Sequence, residues 1–124
     1  MYAVVPRDHG ASGAVVEGTF RVNSFPARIL FDSGASHSFI SYDFSIRLRL
    51  VAQPLDFLLS VSTPLGEMSP LESVCRRCIV SLDDSEFAID LIVLHMFEFD
   101  VILGMDWLSS YHVSIDYFAK TVSL

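Results

Sequence analysis

The sequence predicts an all-β domain, either a sandwich or a barrel, and three observations support this. Short apolar runs rich in β-branched residues recur along the chain, turn-forming residues separate them, and only one segment has a clear helical period. With 124 residues, the chain has the length of a single domain. Its hydrophobic content of 52% and charged content of 19% exclude intrinsic disorder.

The predicted strands follow one another with short connections. They cover residues 14–20, 26–31, 55–61, 74–82, 86–94, 99–103, 112–116 and 121–124. Residues 62–67 form a Pro/Gly turn of the kind expected at a hairpin tip. The last residues still have strand character, so we expect this strand to continue past Leu124 in the natural product.

Two helical segments are predicted between the strands. The segment 38–50 has apolar side chains at i, i+4 and i+8 starting from Ile40, which places them on one helix face. Residues 106–110 are expected to form one or two further turns, with Asp106 as the N-cap.

Charge and hydropathy restrict the partners. A net charge of −7 argues against a nucleic-acid surface, and apolar stretches such as residues 90–97 are far too short to span a membrane. The first residues lack the apolar core of a secretory signal, so an intracellular, cytoplasmic location is expected. The domain is small yet rich in large apolar residues, which indicates that part of its apolar surface meets another molecule.

The clearest candidate for chemistry is the run Asp32-Ser33-Gly34-Ala35 at the end of an apolar strand. A strand delivers the carboxylate to a rigid place, and Gly34 lets another backbone group approach it closely. The alternative is an ordinary Asx turn after a strand. The run alone supports these two interpretations about equally.

A second motif further along the chain favours the first interpretation. Here Ile102-Leu103-Gly104 is followed by Met-Asp-Trp-Leu. Together, the two motifs resemble the retropepsin family of aspartic proteases, and within it the protease domain of gypsy-type long-terminal-repeat retrotransposon gag-pol polyproteins. The resemblance covers residues 14–124 and implies that residues 1–13 are a linker from the polyprotein.

The resemblance implies a closed β-barrel of the retropepsin type, with one main helix and a short C-terminal helix. It implies that Asp32 is catalytic, that Ser33, Gly34 and Ala35 complete the active-site loop, and that the segment 102–104 supports this loop from beneath. The implied flap over the substrate comprises Thr63, Pro64, Leu65 and Gly66. The implied substrate is the retrotransposon's own polyprotein. This substrate implies that the enzyme acts in the cytoplasm or in virus-like particles. No cofactor or metal is implied.

The chemistry of an aspartic protease needs a second carboxyl group. One group acts as general base towards water and the other, protonated, binds the scissile carbonyl; two carboxyls in contact share one proton. No second Asp-Ser/Thr-Gly occurs, because Asp84-Ser85 is followed by Glu86. We therefore expect a homodimer in which a twofold axis brings two copies of Asp32 together.

Two positions differ from retroviral relatives. Ser36 stands where many of them have an acid, and Met105 where they often have Arg. These residues normally pair, so a different local solution is expected, with Asp106 hydrogen-bonding back towards the loop.

Two alternatives to the active protease remain open. One is a catalytically silent retropepsin-like module for dimerisation or peptide binding. The other is a protease domain of the ubiquitin-receptor shuttle type, which the run at 105–107 favours less.

The two cysteines form a smaller separate question. Cys75 and Cys78 have the spacing of half a zinc site. Residues three apart on a regular strand point to opposite faces, so core or surface cysteines are the preferred interpretation.

Overall fold

The computed structural model describes residues 2–3, 5–8, 14–62, 68–111, 114–116 and 121–123. Most of its regular structure is β. The strands are β1 Tyr2–Ala3, β2 Val5–Asp8, β3 Ala14–Val22, β4 Phe25–Phe31, β5 Phe39–Ser41, β6 Gln53–Pro54, β7 Ser60–Ser62, β8 Met68–Pro70, β9 Ser73–Leu82, β10 Ser85–Leu94, β11 Val101–Leu103, β12 Ser114–Asp116 and β13 Thr121–Ser123. The helices are α1 Tyr42–Arg47 and α2 Met105–Ser110.

Six strands close into a barrel, which confirms the predicted fold class. Their order is β3-β4-β11-β5-β10-β9, and a further pairing of β3 with β9 completes the circle. Strands β2 and β6 extend this sheet, β7 and β8 form a separate hairpin, and β1, β13 and β12 form a three-stranded sheet. Both helices have six residues, so the "main" helix is no longer than the C-terminal one.

The barrel encloses one apolar core. Its largest side chains that are almost wholly buried are Val22, Ile29, Phe31, Ile40, Phe44, Val80, Leu82, Leu91, Val101 and Leu103. Trp107 of α2 closes one end, with its ring 6.1 Å from that of Phe31 and 5.4 Å from that of Phe87. Burying one such side chain stabilises the fold by about 1.5–3 kcal/mol, so this core dominates the favourable free energy of folding.

The helix predicted over residues 38–50 was wrong at both ends, because α1 covers only Tyr42–Arg47. Phe39–Ser41 is strand β5, which pairs parallel with β10 and antiparallel with β11. The pairing buries Phe39 and Ile40, so the tertiary structure overrides a pattern that also fits a helix. The helix begins only at Tyr42, where the Ser41 hydroxyl accepts a hydrogen bond from the Phe44 N–H at 3.0 Å.

Two further local predictions need correction. The N-cap of α2 is Gly104 and not Asp106, whose carboxylate has other partners. The strand expected over residues 55–61 is a loop at residues 55–59, followed by β7 from Ser60. The turn at residues 62–67 does connect two paired strands, β7 and β8, but the expected flap residues Thr63 to Gly66 lie outside the described residues.

Part of the segment expected to be a linker carries strands. Residues 5–8 form β2, which pairs antiparallel with residues 14–17 of β3, and residues 2–3 pair with β13. These strands join the segment to the sheets. In the portion of the chain that the structure describes, no helix is long and apolar enough to cross a membrane.

A β-bulge decides the environment of the two cysteines. Cys75 and Cys78 face Leu91 and Ile89 of β10, so three steps on β9 match two on its partner. Arg77 in the bulge has a φ of 55°. Both thiols therefore point into the core and are 1% exposed, and the expectation that they face opposite sides was wrong.

The buried thiols are protonated and poorly suited to bind a metal. Desolvation by burial raises the pKa of both, that of Cys78 to about 12, with Cys75 and Asp90 adding to the effect. Across the described ranges, no group of His, Cys, Asp and Glu side chains could hold a metal ion. The structure supports core cysteines over half a zinc site.

The junction between β11 and α2 brings two backbone segments into unusually close contact. A Cβ atom on Gly104 would lie 2.7 Å from the carbonyl oxygen of Ala35 and closer still to that of His37. The backbone of Gly104 is extended, with φ −101°, so conformational freedom does not explain the glycine. Only the absence of a side chain permits this contact.

We predict that Gly104→Ala destabilises the fold by about 3 kcal/mol or more, because the new methyl group meets backbone and not a movable side chain. Urea unfolding monitored by Trp107 fluorescence measures this. Gly34→Ala is the matched control, since its Cβ would meet only the Asp32 carboxylate at 3.1 Å and should cost less than about 1 kcal/mol. Equal losses for the two variants would contradict the explanation.

The raised pKa of Cys78 predicts a loss of stability at alkaline pH. In the unfolded chain the thiol releases its proton near its ordinary value of 9.0, whereas the folded state holds it until about pH 12. The folded state therefore binds more protons in this window, and its stability, fully present below pH 9, falls as the pH rises. Free energies of urea unfolding measured at about pH 8 and 10.5 should fall less for Cys78→Ala than for the wild type. An equal loss of unfolding free energy in the two proteins would contradict the raised pKa of Cys78.

Candidate active site

Strand β4 delivers Asp32 to a fixed position at the edge of the barrel. The strand ends at Phe31, which is completely buried, so the next residue starts from a rigid point. The Asp32 N–H donates to the carbonyl of Leu103 at 3.0 Å, and the Asp32 carbonyl accepts from the Ala35 N–H at 3.2 Å. The active-site loop runs from Asp32 to Ser38. These two bonds anchor its start to β11 and close residues 32–35 as a turn.

The Asp32 carboxylate remains accessible. Asp32 is half-buried, and its Oδ1 accepts a hydrogen bond from the Gly34 N–H at 2.8 Å. This bond is also the bond of an ordinary Asx turn, so alone it does not distinguish the two interpretations of the motif. A carboxylate oriented by a backbone donor and open on its other side can meet a substrate or a second carboxyl group.

The second motif lies directly beneath the first. β11 runs parallel to β4 with Leu103 opposite Phe31, so both strands end at the same level. Of the support residues, Leu103 is buried in the barrel core, whereas Ile102 is half-buried on the other side of the strand. The close approach at Gly104 follows immediately, which brings α2 against the underside of the loop.

The first N–H groups of α2 bind the carbonyls of the loop. The Met105 N–H donates to the Ala35 carbonyl at 2.7 Å, and the Asp106 N–H donates to the Ser36 carbonyl at 3.2 Å. Helix starts leave such donors without intrahelical partners, and here the loop supplies the acceptors. The helix and the loop thus satisfy each other's backbone groups.

Asp106 forms hydrogen bonds back towards the loop. Its Oδ1 accepts from the Ser38 hydroxyl at 2.6 Å and from the Trp107 N–H at 2.8 Å. Its Oδ2 accepts from the Ser38 N–H at 3.2 Å. The carboxylate is thereby tied to the residue that ends the loop, while its role in folding and assembly stays a prediction.

Ser38 is the site residue that sequence reasoning missed. It is 0% exposed, and besides its bond to Asp106 it accepts the Gly104 N–H on its hydroxyl oxygen at 3.0 Å. Its partners are 66 and 68 residues away in the chain, so no local pattern could have indicated it. A serine between a turn and an apolar run is otherwise an ordinary loop residue.

An apolar floor surrounds the loop. Ile102 packs against the buried pair Leu30 and Phe99 on one side and against a cluster with Phe39 on the other, which Ala35 also joins. Ser33 and Gly34 are exposed beside it. The loop therefore presents the half-buried Asp32 carboxylate next to the half-buried apolar side chains of Ala35 and Ile102.

The hairpin of β7 and β8 is attached to the body at its base. The Leu71 N–H donates to the Leu59 carbonyl and the Leu55 N–H to the Glu72 carbonyl, each at 2.9 Å. A cavity of about 390 Å³ lies at this base, bordered by Tyr42, which stacks on His95 at 4.8 Å.

Solved structures share this architecture. The retroviral protease-like domain of Ddi1 from Leishmania major aligns with a TM-score of 0.67 and 17% identity, over 89% of this chain and 87% of that one. EIAV protease complexed with the inhibitor HBY-793 aligns with a TM-score of 0.62 and 16% identity, over 81% and 90%. A retropepsin-like aspartic protease from Rickettsia conorii aligns with a TM-score of 0.56 and 20% identity, over 94% and 91%.

At these identities the structural likeness establishes the fold, a retropepsin-like barrel. No curated protein sequence matches the chain. The family model described as retroviral aspartyl protease, by contrast, matches residues 1–124. With the Asp32 loop seated on Gly104 in a barrel of this type, the chain belongs to the retroviral aspartyl protease family and is a retropepsin-like aspartic protease domain.

Proposed function

We propose that the protein is an aspartic endopeptidase whose active site forms between two copies of the chain, each contributing Asp32. The observation that carries this proposal is the accessible Asp32 carboxylate, held by the Gly34 N–H on a loop braced from below. The family membership supports the same reaction class. The finer part of the proposal is that the enzyme processes a gypsy-type retrotransposon polyprotein in the cytoplasm.

The hydrogen bonds around the loop support the homodimer. Peptide hydrolysis by this route requires two carboxyl groups in contact. Among the described residues, the other carboxylate next to the loop is Asp106, and three donors from Ser38 and Trp107 already occupy its two oxygens. These bonds hold Asp106 in a structural role, which supports the Asp32 of a second copy as the second reacting carboxyl.

The reaction then divides between the two carboxyl groups. The ionised one removes a proton from water as the water oxygen attacks the scissile carbonyl carbon, while the protonated one donates a hydrogen bond and then its proton to the carbonyl oxygen. The tetrahedral diol collapses when a hydroxyl proton returns to a carboxylate and the amide nitrogen takes a proton. The C–N bond breaks, and the pair again holds one proton.

The substrate of this proposal is an extended polypeptide with apolar side chains on both sides of the scissile bond. Extended chains bind by backbone hydrogen bonds, as an added strand does, and the hairpin of β7 and β8 would supply some of these. The half-buried Ile102, next to the loop, favours apolar side chains. The likeness of the run 102–108 to gypsy-type sequences supports the polyprotein substrate.

We predict that Asp32→Asn lowers the rate of peptide hydrolysis by about 10³-fold or more, because the amide cannot act as the base. A denatured protein offered at mildly acid pH, with product detection by mass spectrometry, measures this. Asp84→Asn, an exposed acid on the β9–β10 turn, is the matched control and should keep full activity. Cleavage by Asp32→Asn at the wild-type rate would end the proposal.

A shared site further predicts that activity depends on protomer concentration. Specific activity should rise with total protein until dimers predominate. Excess Asp32→Asn chain added to a fixed amount of wild type should suppress cleavage through mixed dimers with one reactive carboxyl, whereas Asp84→Asn chain should not. Activity independent of dilution, or unaffected by the inactive chain, would exclude the shared site. A stable dimer in which the wild type cleaves nothing would favour the catalytically silent binding module.

A further inference from the structure

We propose that Ser38 is a positioning residue for Asp32, because its hydroxyl locks the end of the active-site loop onto the β11–α2 junction. Ser38 is 0% exposed, and its Oγ lies 3.0 Å from the Gly104 nitrogen and 2.6 Å from Asp106 Oδ1. The inference rests on the proposed function only where activity is the readout.

The direction of the two hydrogen bonds is determined by their partners. The Gly104 N–H can only donate, so the Ser38 oxygen accepts there. Its single proton is then directed to the Asp106 carboxylate. The buried hydroxyl is fully used, and it couples the backbone of Gly104 to the side chain of Asp106.

Residue 38 also contacts both oxygens of that carboxylate. Its hydroxyl bonds Asp106 Oδ1, and its backbone N–H bonds Oδ2 at 3.2 Å. A two-point contact fixes orientation as well as distance, as other bidentate carboxylate contacts do. A third donor, the Trp107 N–H of α2, bonds Oδ1 at 2.8 Å and holds the carboxylate against its own helix.

These contacts set the position of Asp32 because the loop is held at both ends by neighbouring residues. At its start, Asp32 bonds to Leu103, and at its end Ser38 bonds to Gly104, the next residue of the chain. The close approach between Gly104 and Ala35 leaves no space for the loop to settle lower. Removing the hydroxyl leaves the buried Gly104 N–H without its acceptor and takes one of two donors from Asp106 Oδ1, a loss that a shift of the loop can relieve.

The experiment compares Ser38→Ala with Ser45→Ala. Ser45 is also buried, and its hydroxyl donates to the Tyr42 carbonyl at 2.7 Å within α1, away from the loop. The two substitutions therefore remove the same group from equally buried sites. For Ser38→Ala we expect kcat to fall by about 10–100-fold with KM changed less than about threefold, and for Ser45→Ala neither to change beyond about twofold.

Amide hydrogen exchange provides a readout that does not need activity. In Ser38→Ala the amides of Asp32 and Gly104 should exchange at least about tenfold faster relative to the barrel amide of Val80, and in Ser45→Ala they should keep the wild-type ratio. If Ser38→Ala fails to fold, Asp106→Asn tests the same lock, because it keeps the side-chain shape but replaces one acceptor oxygen with a donor. Asp106→Asn should lower kcat and accelerate amide exchange, as expected for Ser38→Ala.

The outcomes separate the two proposals. Faster exchange together with a lower kcat supports the lock. Faster exchange in a protein whose wild type cleaves nothing supports the lock and contradicts the proposed function. An unchanged exchange ratio, or a kcat equal to that of Ser45→Ala, overturns the positioning role.

Discussion

The contact between Gly104 and the carbonyls of Ala35 and His37 is the constraint on which the rest of the site depends. It is possible only because β4 and β11 are parallel and end at the same level, so that the residues after them meet. The absence of a side chain at Gly104 then lets α2 begin directly beneath the loop. The first N–H groups of α2 find acceptors in the loop, and a larger distance between helix and loop would not allow these hydrogen bonds.

Closure of the barrel gives this contact its rigidity. Pairing of β3 with β9 completes a ring of six strands, so neither β4 nor β11 lies at a free edge and neither can shift without breaking ladders on both sides. The hairpin of β7 and β8 lies outside the ring as a two-stranded sheet of its own. Among the described residues, the closed barrel carries the Asp32 loop, and the hairpin is joined to the body through the bonds of Leu71 and Leu55 at its base.

The sequence predicts those parts of the structure that depend on local patterns. Alternation and turn residues locate β3, β4, β9 and β10, and the strand-end motifs locate the Asp32 loop and its support. Ile40 was misplaced in a helix because the apolar pattern around it fits a helix as well as a strand. Only the closed sheet, which needs a strand between β10 and β11, distinguishes the two. The bulge in β9 that turns both cysteines to one side interrupts the strand period, and the bonds of Ser38 join segments 66 and 68 residues apart, so no periodic pattern indicates either.

The bonds described for the Asp32 loop are made with residues of the same chain. The Leu103 carbonyl, the Gly104 contact and the Asp106 carboxylate need no second copy to be satisfied. In the proposed homodimer, each protomer would therefore bring a carboxylate already oriented by the Gly34 N–H. Association would then supply the second carboxyl without reorganising the first, so that the chemistry, and not the fold, responds to protomer concentration.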